Sequence, residues 1–94
     1  MPIKTTAYDP ATDLADPDEQ RTLLTDAFAS GDARFIANAL GVVARARGMT
    51  AVAEAAGVNR PALYKALSET GDPQLSTLIG VLKALGLKLS VEAA

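Results

Sequence analysis

The side chains best equipped for recognition in this chain are Asn59, Arg60, Tyr64 and Lys65, which follow Gly57 closely in sequence. An arginine at the exposed start of a helix offers two parallel N–H donors that match the O6 and N7 acceptors of guanine, a contact that discriminates between bases by about 1–3 kcal/mol. The same guanidinium also serves as a phosphate ligand. Asn59 has the amide of a helix N-cap and can touch phosphate from that position. Tyr64 and Lys65 come one turn later, suited to a backbone oxygen or a base edge, although a half-buried Tyr64 ring resting on the next helix is an equally physical reading. Pro61 and Ser68 complete the outward face. Thr50 stands at the start of an earlier helix, where its hydroxyl either meets a phosphate or caps. Arg45 and Arg47 end the helix before that, where they serve the helix dipole, phosphate contact, or both.

These residues need a frame, and residues 49–68 supply the pattern of a helix-turn-helix. A first helix from about Thr50 to Ala56 carries small Ala53 at the helix-to-helix approach, and Gly57 sits in the turn, where a positive φ strains any residue with a Cβ. Asn59 caps a second helix with Leu63, Ala66 and Leu67 inward and Arg60, Pro61, Tyr64, Lys65 and Ser68 outward. The inward set packs, and the outward set is expected to face DNA.

The remaining segments build the wall behind this unit. Residues 1–15, with two prolines and no helical or strand period, read as an extended arm ahead of a single domain at 16–94. Asp16-Pro17-Asp18-Glu19 is a helix start with Asp16 as N-cap, Pro17 at the first position and Glu19 closing a capping box. Leu23, Leu24, Ala27 and Phe28 then share a face up to Gly31. Asp32 caps a second helix in which Phe35, Ile36, Ala39, Leu40, Val43 and Ala46 recur at buried-stripe spacing until Gly48. A fifth helix, about Leu75 to Leu85, turns Leu75, Leu78, Ile79, Leu82 and Leu85 inward and stops at Gly86. Residues 87–91 alternate apolar and polar with period two, a strand signal. A lone strand is not stable, so Leu87, Leu89 and Val91 are expected to pair with a second copy across a two-fold axis.

Composition narrows the chemistry. Ninety-four residues with no cysteine and no histidine make one small domain without disulfides, without the usual zinc or copper ligands and without the commonest general base. No metal, cofactor or catalysis is expected; Asp13, Asp16, Asp18 and Glu19 are the only carboxylate group to consider, and Asp16 and Glu19 have a capping role. No apolar run approaches the roughly 20 residues of a membrane span and the start lacks a signal peptide's apolar core, so a cytoplasmic protein is expected. The net charge of −2 hides an asymmetry: residues 1–32 hold seven acids against Lys4 and Arg21, whereas residues 33–94 hold seven bases against Glu54, Glu69, Asp72 and Glu92. The basic part suits phosphate, and the acidic part suits a basic partner or is a solvated arm.

Taken together, the arm Lys4-Thr-Thr-Ala-Tyr-Asp-Pro10, Gly31-Asp32, Ala44-Arg-Ala-Arg-Gly-Met-Thr50, Ala56-Gly-Val-Asn-Arg60, Leu63-Tyr-Lys-Ala-Leu-Ser68 and Leu82-Lys-Ala-Leu-Gly-Leu-Lys-Leu-Ser-Val91 resemble the addiction-module antidote proteins of bacterial toxin–antitoxin systems. These belong to the wider lambda-repressor-like helix-turn-helix group. The resemblance implies a mainly α, five-helix domain, and an antitoxin that neutralises a RelE/ParE-like toxin and represses their shared operon. It implies operator DNA, a small basic toxin and a second copy as partners. Ile3, Tyr8 and Leu14 of the arm would then anchor the toxin, with Asp9 and Asp13, and Asp16 and Asp18 at the first helix, facing its basic surface. Two positions depart from the family pattern: Ala51 replaces a frequent glutamine, and Pro61 follows the arginine where Glu or Ser is frequent, so base readout rests on fewer side chains. The alternatives are a stand-alone repressor of the Cro/C1 type without a toxin and an interaction module that no longer binds DNA.

Overall fold

The computed structural model describes residues 16–68 and 70–94. Five helices follow one another among them: α1 (Pro17–Ser30), α2 (Ala33–Arg47), α3 (Met49–Ala56), α4 (Arg60–Ala66) and α5 (Leu75–Ala84). None is long and apolar enough to cross a membrane.

Each boundary has a local cause. The Asp16 carboxylate accepts from the Asp18 N–H at 2.9 Å and Pro17 occupies the first turn, whereas Glu19 makes no side-chain hydrogen bond among the described residues, so the expected capping box reduces to a single cap. Asp32 accepts from the N–H groups of Arg34 and Phe35 at 3.0 and 3.4 Å, starting α2. Gly31 and Gly57 close α1 and α3 with φ of 69° and 74°, in the left-handed region where a Cβ is strained. Gly48 joins α2 to α3 at φ 110°, a conformation open to glycine and few others.

The core is built around α2, which is covered on most of its circumference: Ala37, Ala39, Leu40, Val42, Val43 and Ala44 are all buried. Leu24 and Ala27 of α1, Met49, Val52 and Ala53 of α3, Leu63 of α4, and Val81 and Leu82 of α5 complete it, with Leu67 and Leu85 just beyond the last two helices. α1 packs on α2, and α3 packs on α2, α4 and, most extensively, α5. Two glycines inside helices permit the closest approaches. A Cβ on Gly41 of α2 would stand 2.3 Å from the Leu67 carbonyl oxygen at the end of α4, and one on Gly80 of α5 would stand 2.8 Å from the Ala56 Cα of α3.

Three expectations need correction. The inward face of α5 is Leu78, Val81, Leu82 and Leu85; Leu75 is 66% and Ile79 40% exposed. An apolar stripe wider than the buried arc leaves the facing residues ambiguous, and the close seat of Gly80 on Ala56 sets the rotation instead. Phe35, assigned to the α2 stripe, lies at the open first turn and is exposed, while Ala37 and Val42 are buried. Residues 87–91 form no strand. A strand requires a ladder partner, and no described segment provides one; the Leu87 N–H instead donates to the Leu82 carbonyl at 2.8 Å, folding the tail back over the end of α5.

Candidate nucleic-acid interface

The outward face of α4 is assembled by anchoring the opposite face. Leu63 is fully buried and Leu67 nearly so, which fixes the rotation of the helix and turns Arg60, Pro61, Tyr64 and Lys65 to solvent. Asn59 precedes the helix in extended conformation, and its Oδ1 accepts from the Ala62 N–H at 2.8 Å. Pro61 lies in the first turn, where its missing donor leaves no intrahelical bond unmade. This side of the protein thus holds a capped helix of seven residues with a cation, a ring and a second cation exposed along it.

Arg60 and Tyr64 do not stand apart. The Arg60 Cζ lies 5.5 Å from the centre of the Tyr64 ring, and its Nη2 donates to the Tyr64 Oη at 3.5 Å, a long hydrogen bond. Tyr64 is 41% exposed and stacked with the side chain one turn behind it. Arg21–Asp18, at 3.5 Å on the surface of α1, is the ion pair found among the described residues; Arg60 and Lys65 have no carboxylate partner there.

The other candidate positions divide clearly. Thr50 is exposed at the second position of α3, and its hydroxyl bonds to no described residue; Gly48 is the N-cap, so the capping alternative for Thr50 does not hold. Ser68 is half-buried and donates to the Lys65 carbonyl at 2.9 Å, with the Thr70 hydroxyl 3.2 Å away, so its hydroxyl finishes α4. Arg45 is half-buried. Arg47 donates through Nε to the Gln20 Oε1 at 2.8 Å, joining the end of α2 to α1. Gln20 is 2% exposed and is the buried polar residue of the core. Its place four residues before Leu24 and seven before Ala27, on the buried stripe of α1, is the sequence signal that identifies it. Gly41 and Gly80 were legible in the same way, as isolated glycines inside apolar helices.

Ile3, Tyr8, Asp9, Asp13 and Leu14 lie outside the described residues. At the other end of the chain Leu87 is half-buried against the core, Leu89 is 45% exposed and Val91 98%. Ile79, Leu82, Lys83, Leu87, Lys88 and Leu89 line a shallow cleft of about 240 Å³ beside α5.

Comparison with known proteins gives this arrangement a family. A protein of Haemophilus influenzae (strain ATCC 51907 / DSM 11121 / KW20 / Rd), described as an uncharacterized protein, is 40% identical over 85 residues, which span 90% of this chain and 88% of that protein. No solved structure matches. The family model described as "Probable addiction module antidote protein" matches residues 4–93, nearly the whole chain, and the chain belongs to that family.

Proposed function

We propose that the protein is an antitoxin that binds and neutralises a RelE/ParE-like toxin encoded beside it, and that represses the shared operon by sequence-specific DNA binding. Membership of the antidote family across residues 4–93 is the observation that carries the antitoxin role. The DNA-binding role is supported by the exposed face of α4, where Arg60 and Lys65 have no acidic partner among the described residues while Leu63 and Leu67 lock the helix in place. In this reading α3 and α4 act as a helix-turn-helix. Arg60, with Tyr64 beside it, contacts guanine or phosphate, Lys65 follows on base edge or backbone, and Asn59 and Pro61 set the start of the helix. Thr50, whose hydroxyl bonds to no described residue, takes a phosphate, with Arg45 and Arg47 as further phosphate contacts.

Two copies reading a palindrome would associate through the apolar surface of Ile79, Leu89 and Val91, with Leu87 holding the tail to the core. Toxin binding is assigned to the arm, through Ile3, Tyr8 and Leu14 with Asp9 and Asp13 against a basic toxin surface. The protein works in the cytoplasm in this reading, beside its operon and its toxin. Co-expression with the adjacent open reading frame tests it: growth rescue and co-purification support an antitoxin, whereas operator binding by a chain with no toxin partner would leave a stand-alone repressor.

A further inference from the structure

We infer that Tyr64 is a positioning residue whose ring and hydroxyl hold the Arg60 guanidinium in place for a guanine of the operator, so that the two side chains read as one unit. The inference rests on the proposed DNA-binding role of α4. Arg60 begins its helix, an end where the backbone dipole favours anions over cations, so helix stability does not account for a positive charge there. A free arginine at that position samples many rotamers, and fixing one on binding weakens the complex. The Tyr64 ring restricts that search before DNA arrives: it lies 5.5 Å from the Arg60 Cζ, and its Oη takes a hydrogen bond from Nη2. The hydrogen bond occupies one donor. The guanidinium has five N–H donors in a rigid fork, so two parallel donors remain for the O6 and N7 acceptors of guanine. The same pair explains how Pro61 is tolerated. With proline offering no side-chain donor beside Arg60, discrimination depends on how well the arginine is held, and the i, i+4 ring is placed to hold it.

Two measurements test this on the full-length chain. In the free protein, the Arg60 side-chain protons should carry an upfield ring-current shift in the NMR spectrum that disappears in Tyr64→Ala, and an unchanged spectrum would overturn the pairing. On a fluorescent duplex from the DNA upstream of the gene, Arg60→Ala should weaken binding about 5- to 150-fold. Tyr64→Ala should weaken it about 2- to 5-fold, Tyr64→Phe should retain most of the affinity, and Tyr64→Ala should add nothing in the Arg60→Ala background. An equal loss from Tyr64→Ala with and without Arg60 would make Tyr64 an independent DNA contact and overturn the inference, while leaving the DNA-binding role intact. Equal binding of wild-type protein to that duplex and a scrambled one would overturn both.

Discussion

Asn59 and Arg47 each hold an element in place through one hydrogen bond. Removing the Asn59 amide leaves the Ala62 N–H at the start of α4 without its acceptor. Asn59→Ala is therefore expected to cost about 1 kcal/mol of stability, seen as a lower denaturant midpoint with an unchanged slope. Arg47→Ala removes one hydrogen bond to the Oε1 of buried Gln20 and should destabilise by about 1 kcal/mol in the same experiment, whereas loss of operator affinity alone would show that the residue acts only at phosphate. At this scale Asn59 was legible from its type and its place before Arg60-Pro61, because a cap is a local interaction. The role of Arg47 was not, since it depends on Gln20 across a helix boundary. Beyond Ala66, where α4 ends, the Ser68 hydroxyl donates to the Lys65 carbonyl, a link of the helix end that its type alone does not reveal.

Among the elements, the two helices that carry the candidate site are positioned by close backbone contact more than by large side chains. Gly41→Ala forces a Cβ toward the Leu67 carbonyl, and Gly80→Ala does the same toward Ala56. Each backbone must move, so each substitution is expected to lower stability by about 1–3 kcal/mol. A chemical denaturation curve checks this, and a variant as stable as the parent would mean that the helices have room to separate. The helix count and the positions of Asp16, Asp32, Gly31, Gly48 and Gly57 could be read from the sequence because caps and left-handed closures are decided within a few residues. The rotation of α5 could not. Leu75, Leu78, Ile79, Val81, Leu82 and Leu85 cover too much of the helix for spacing alone to choose a face, and contact with α3 decides it. The tail shows the same limit: alternation at 87–91 marks an extended segment but supplies no ladder partner.

For the whole molecule, the separation of charge gives the two proposed tasks different ends of the chain. Deleting residues 1–15 removes Asp9 and Asp13 with Ile3, Tyr8 and Leu14, and leaves every described helix intact. The truncated protein should keep operator binding and lose toxin neutralisation in a growth-rescue assay; retained neutralisation would move the toxin surface onto α1 and α2. Introducing charge on the exposed apolar surface, as Leu89→Asp, should shift the chain toward monomer in sedimentation equilibrium, and an unchanged mass would place the two-fold contact elsewhere. The central claim is that the exposed face of α4 reads DNA. Its most direct test is a titration of wild-type protein and Arg60→Ala against the DNA upstream of the gene and a scrambled duplex, with thermal unfolding followed in parallel. Tight, salt-sensitive binding to the upstream DNA alone is expected, weakened about 5- to 150-fold in Arg60→Ala at an unchanged melting temperature. Equal operator affinity in the two proteins would contradict it.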